Sequence, residues 1–79
     1  MKDNIMPLGL VPAGKKVIVE DLMGGHTFRR KINEIGITHG KIIKVIKNDS
    51  EGAMIIALGE GRIALGRGMS HKILVKEVS

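Results

Sequence analysis

The sequence predicts a mainly β fold: a small barrel of about five strands, one amphipathic helix between the first two strands, and a short helical turn before the last. Three observations predict it. Short β-branched runs are punctuated by glycine-rich turns every ten residues or so, and a 3.6-residue apolar period occurs in one stretch only. A chain of 79 residues also supplies a single small core. Closing the sheet would remove the exposed edges that so short a β protein otherwise presents.

The first strand is Lys16 to Leu22, where Val17, Ile18 and Val19 lie between Gly14 and the Gly24-Gly25 pair. Phe28, Ile32 and Ile35 then recur at spacings of four and three, with Arg29, Arg30, Lys31, Asn33 and Glu34 on the remaining face. That spacing predicts a helix over 28–35 whose apolar stripe closes one end of the barrel. Gly36 supplies a left-handed cap, and Ile37 is placed to pack back on the last turn as in a Schellman motif. After the Thr38-His39-Gly40 turn, Lys41 to Lys47 reads as the second strand, with Ile43 and Val45 on one face and Ile42 and Ile46 on the other. The polar run 48–52 ends it. Met54 to Leu58, the turn Gly59-Glu60-Gly61, and Arg62 to Leu65 form a hairpin. Gly66 to Lys72 makes a single-turn connection to the last strand, Ile73 to Val78. Residues 1–5 are expected to be a flexible lead-in, and 6–79 one domain.

Thirteen Lys and Arg against eight Asp and Glu give a formal charge of +5, which favours an acidic partner or a polyanion. Phe28 is the only aromatic residue. Base-stacking platforms and proline-rich peptide grooves both depend on aromatic side chains, so nucleic acid is not an expected partner. No apolar stretch approaches the ~20 residues of a membrane span, so direct membrane insertion is not expected either. The chain lacks cysteine, and its polar first residues do not resemble a secretory signal, which predicts a cytoplasmic location.

The motifs are weak. Gly9 to Lys16 has the glycine and lysine spacing of a phosphate-binding loop, but Lys16 replaces the hydroxyl residue and a strand follows where a helix should. Pro12-Ala13-Gly14 is better read as the turn into the first strand. Asn48-Asp49-Ser50 has the form of a glycosylation site and reads as ordinary turn residues. His26, His39 and His71 are the candidate metal ligands. The first two sit at opposite ends of the predicted helix, roughly 15 Å apart, too far to share an ion. No obvious motif places a base for Ser50, Ser70 or Ser79, so no catalytic residue is assigned and an enzyme is not expected.

The chain resembles the FeoA family over residues 6–78. The resemblance is carried by Met6-Pro7-Leu8, Val11-x-x-Gly14, Val17-x-Val19 and Gly24-Gly25, then by Ile32-x-x-Ile35-Gly36-Ile37-x-x-Gly40, Ile43-x-Val45, Ala64-Leu65-Gly66 and Ile73-x-Val75. It implies an SH3-like barrel and a small cytoplasmic component of bacterial ferrous iron uptake. The implied partner is FeoB, the membrane protein whose G domain hydrolyses GTP. The same module ends iron- and manganese-dependent repressors of the DtxR type, and the family is associated with transition metals. His39 stands where many relatives have proline. Met69-Ser70 stands where many have an acidic residue before alanine, which weakens a carboxylate metal site there.

The leading expectation is therefore a non-enzymatic module that binds or regulates FeoB, as a monomer or weak homo-oligomer. No cofactor is required, and iron or zinc would bind only weakly or by bridging molecules. The rival is a metal-binding or metal-sensing domain. A third reading, an arginine supplied in trans to a G domain, would use Arg29, Arg30 or Arg67. The expected partner surface joins Arg29, Arg30 and Lys31 to Ile42, Lys44 and Ile46, with Arg67 in addition. Ile42 and Ile46 would anchor unless Met6-Pro7-Leu8 covers them.

Overall fold

The computed structural model describes residues 4–49 and 52–78. Ser50, which completes the glycosylation-like triplet, and most of the predicted lead-in lie outside them. In chain order the elements are β1 (Ile5–Pro7), a 3-10 turn (Leu8–Leu10), β2 (Lys16–Leu22), α1 (His26–Ile35), β3 (Ile42–Asn48), β4 (Met54–Leu58), β5 (Gly61–Leu65), α2 (Arg67–Ser70) and β6 (Ile73–Glu77). All strand pairs are antiparallel, in the order β1-β6-β2-β3-β4-β5.

Two expectations are corrected here. The sheet has six strands, because Ile5, assigned to the lead-in, pairs with Lys76 and begins β1. The sheet is also not closed, since β1 and β5 remain its edges. Pro7 cannot donate to a further strand, which suits it to an edge. The two edge strands run instead into the Leu8–Leu10 turn and α2, which pack on each other.

Alternation along β2, β3, β4 and β6 buries Val17, Val19, Ile43, Val45, Met54, Ile56, Ile73 and Val75. Ile32 covers one end of this core and is fully buried, while Phe28 and Ile35 pack beside it half-buried. The helix begins at His26, two residues before the expected start, with Gly25 as an N-cap that offers no side-chain oxygen. Its far end matches the expectation. Gly36 has φ +110°, its N–H donates to the Asn33 carbonyl at 3.0 Å, and the Ile37 N–H donates to the Ile32 carbonyl at 3.2 Å.

Two register shifts bend the sheet, one between Val19 and Asp21, the other between Val45 and Lys47. The second makes Ile46 the extra residue and turns Asn48 toward the interior beside buried Met54, its partner on β4.

Candidate functional site

Strand register assembles the outer face of the sheet from residues far apart in the chain. Ile5, Lys76, Ile18 and Ile42 form one cross-strand row. Lys16, Lys44, Ala57 and Arg62 form the next. Ile42 is 52% exposed and Ile18 half-buried, and Lys16, Lys44 and Arg62 are exposed.

The neighbouring lysines are paired: Lys15 with Glu77 at 2.9 Å, Lys47 with Asp49 at 3.4 Å, and Lys76 with Glu20 at 3.4 Å. The Glu77 hydrogen bond, and then its charge, raise the Lys15 pKa above the usual lysine value. Among the described residues no carboxylate reaches Lys16, Lys44 or Arg62. Lys16 stands directly opposite Lys44, an arrangement that repels in a sheet and that an acidic group laid on the row would relieve.

The predicted partner surface divides in two. Ile42 and Lys44 lie on this sheet face, clear of Met6-Pro7-Leu8, because β1 is separated from β3 by β6 and β2. Ile46 is half-buried at the register shift, so it is not the outward anchor that simple alternation predicts. Arg29, Arg30 and Lys31 are exposed on α1. A cleft of about 240 Å³ runs from Arg29 and Asn33 to Glu20, Asp21, Thr38 and His39. A second lies along His26, Arg29, Arg30, Asn33 and Glu34. Neither contains a residue of β3.

Arg67 is a correction of another kind. Expected as a surface contact, its guanidinium instead binds inside the fold: Nη1 donates to the Gly9 carbonyl at 3.2 Å, and Nη2 to Asn48 Oδ1 and the Asp49 carbonyl. Asn48 Nδ2 in turn donates to the carbonyls of Gly9 at 3.0 Å and Val11 at 2.8 Å. Arg67 and Asn48 thus tie α2 and β3 to the chain that leads into β2. An arginine so engaged is not available to reach a partner's active site. Gly9, the first glycine of the phosphate-loop pattern, is there for packing: a Cβ would lie 2.9 Å from the His71 ring and from Ser70 Oγ. The Val11 N–H donates to the Leu8 carbonyl and the Gly14 N–H to the Val45 carbonyl, so these two amides serve the fold.

The histidines are dispersed. His26 opens α1, His39 lies in the turn before β3 on the rim of the first cleft, and His71 caps α2 against Gly9. Among the described residues no three His, Cys, Asp or Glu side chains are grouped to hold a metal ion. The acids that share the cleft with His39 are engaged: Glu20 pairs with Lys76, and Asp21 Oδ1 accepts from the Leu22 N–H at 2.8 Å. These residues do not fit a resident metal. Ser70 is fully buried and its Oγ donates to the Arg67 carbonyl, leaving no nucleophile there.

Sequence reasoning missed Lys16, Ile18 and Arg62 as members of the exposed row. Each was visible as a charged or apolar strand residue, but only register brings them together.

The FeoA domain model matches residues 6–77. A protein of Methanocaldococcus jannaschii described as putative Fe(2+) transport protein A is 35% identical over 71 residues, covering 90% of this chain and 85% of that one. The crystal structure of an iron uptake regulatory protein, FeoA, superposes with a TM-score of 0.90 at 33% identity, over 95% of this chain and all of that one. A manganese-dependent transcriptional repressor shares the fold at TM-score 0.87 and 18% identity, this chain spanning 44% of its length. The six-stranded antiparallel sheet with its inserted helix is thus the SH3-like fold of these proteins, and with the match running from β1 to the end of β6, the chain belongs to the FeoA family.

Proposed function

We propose that this protein is a non-enzymatic accessory factor of ferrous iron uptake, working in the cytoplasm by binding the FeoB-type transporter and adjusting its G-domain cycle. The observation that carries the reading is the match to an Fe(2+) transport protein A over 90% of the chain. The geometry agrees with a role in contact, because an exposed row of basic residues with no carboxylate partner among the described residues adjoins exposed Ile42, a combination that steers and then anchors an acidic partner. Co-purification with the transporter from membranes, together with radioactive ferrous iron uptake by cells lacking this protein, tests the proposal. Uptake should fall in its absence and return on re-expression, and the two proteins should co-purify. Unchanged uptake with no co-purification rejects it.

The shared fold with a manganese-dependent repressor supports a second reading, a metal-responsive domain. With the histidines dispersed, iron or zinc would bind weakly through one imidazole or between two molecules. Calorimetric titration decides this: a tight one-to-one complex would favour the metal-responsive domain over the accessory factor.

A further inference from the structure

We propose that the free edge of β5 is a docking site for an extended acidic segment of a partner protein, which joins the sheet as an added strand. The inference rests on the contact-module reading above and names the chemistry by which the partner is held.

The hairpin sets which backbone groups are free. A two-residue turn, Gly59-Glu60, joins Leu58 to Gly61, and Gly59 at φ +63° fits the first position of a type II′ turn. From such a turn the bonded pairs alternate: Gly61, Ile63 and Leu65 bond to β4, and the N–H and C=O of Arg62 and Ala64 point off the sheet. Among the described residues no other backbone group bonds to these two. Gly61, Arg62 and Ala64 are all exposed.

The opposite edge is blunted. β1 has three residues, and Pro7 lacks an N–H. β5 has five residues, no proline and an unbroken register with β4. Charge identifies the occupant. Arg62 ends the row that runs through Ala57 to Lys44 and Lys16, and none of these three cations has a carboxylate partner among the described residues. A strand laid at the edge lies one spacing, about 5 Å, from Arg62 and within a Debye length of it, whereas Lys44 is three spacings away, about 14 Å, and adds only a screened field.

An added strand would place one residue beside Arg62 on the outer face, where an acidic side chain fits. The next would lie beside Ile63 on the inner face, where an apolar one extends the core. A second copy of this chain fits less well, because it brings its own Arg62 and a net charge of +5 to the same edge. A lipid surface offers no strand to pair.

The test uses the whole protein and a capped peptide of alternating valine and aspartate, read by NMR of the isotope-labelled chain. Binding should shift the amides of 61–65, slow hydrogen exchange at Arg62 and Ala64, and weaken with salt. Ala64→Pro removes the outward N–H without deleting a bond to β4, and should weaken binding at least tenfold while the domain stays folded. Should that variant not fold, a backbone N-methylated peptide makes the same test from the other side, again with a tenfold loss. Arg62→Glu should transfer preference to the peptide carrying lysine in place of aspartate. No binding at millimolar peptide, equal binding of the two peptides, a shift map on α1, or dimerisation through β5 would each overturn the proposal. Any of these would leave the transport reading standing, since uptake and co-purification test that separately.

Discussion

At the scale of single residues, the pair Arg67 and Asn48 does the most to hold distant segments together. It satisfies the carbonyls of Gly9, Val11 and Asp49, which lie in segments far apart in the chain. Arg67→Ala should destabilise the domain by about 1.5 to 3 kcal/mol, because several charge-assisted bonds vanish together, and Asn48→Ala by about 1 to 3. The double variant should cost less than the sum, which a urea-denaturation cycle measures; strict additivity would mean that the two side chains act independently. Lys15 carries a pH signature. Its folded pKa is raised, so its contribution is fully present below the unfolded lysine value of about 10.4 and is lost as pH rises through the folded value. Urea midpoints of the parent and Lys15→Met should therefore keep a constant small gap through neutral pH and converge in strong alkali.

At the scale of elements, α1 depends on one deep anchor and one cap. Ile32 is fully buried, whereas Phe28 is half-buried with its ring under Lys72 Nζ, 5.2 Å from the centroid. Ile32→Ala should cost about 2 to 5 kcal/mol, a large share of what so small a domain has, and should lower the melting temperature more than Phe28→Ala does. A larger drop for Phe28→Ala would show that the ring, and not Ile32, fastens the helix. Gly36→Ala should also destabilise, since φ +110° strains any side chain and a Cβ would meet Leu58 at 3.3 Å. The helix was legible because its period and its glycine cap are local. β1 was not, because Ile5-Met6-Pro7 is too short to show alternation and acquires its strand form by pairing with β6.

For the whole molecule, two basic surfaces compete to be the partner interface. Charge reversal separates them: Lys16→Glu with Lys44→Glu should slow association with the transporter and reduce its salt dependence, and Arg29→Glu with Arg30→Glu should do less. Stopped-flow rates at several ionic strengths provide the measurement. The opposite ranking would return the interface to the helix. No helix of the described residues is long and apolar enough to cross a membrane.

By itself the sequence determined the mainly β class, the position and face of the one long helix, its Gly36 cap and most of the core. These follow from alternation, helical period and glycine conformations, which act between neighbours in the chain. Tertiary structure alone decided that the sheet stays open at β5, that Arg67 points inward to Asn48, and that Lys16, Lys44 and Arg62 share one row. These depend on cross-strand register, which two bulges shift by a residue, and on hydrogen bonds between segments as distant as Arg67 and Gly9. A one-residue slip reverses the face of every following side chain, so no local pattern could have announced which charges would meet.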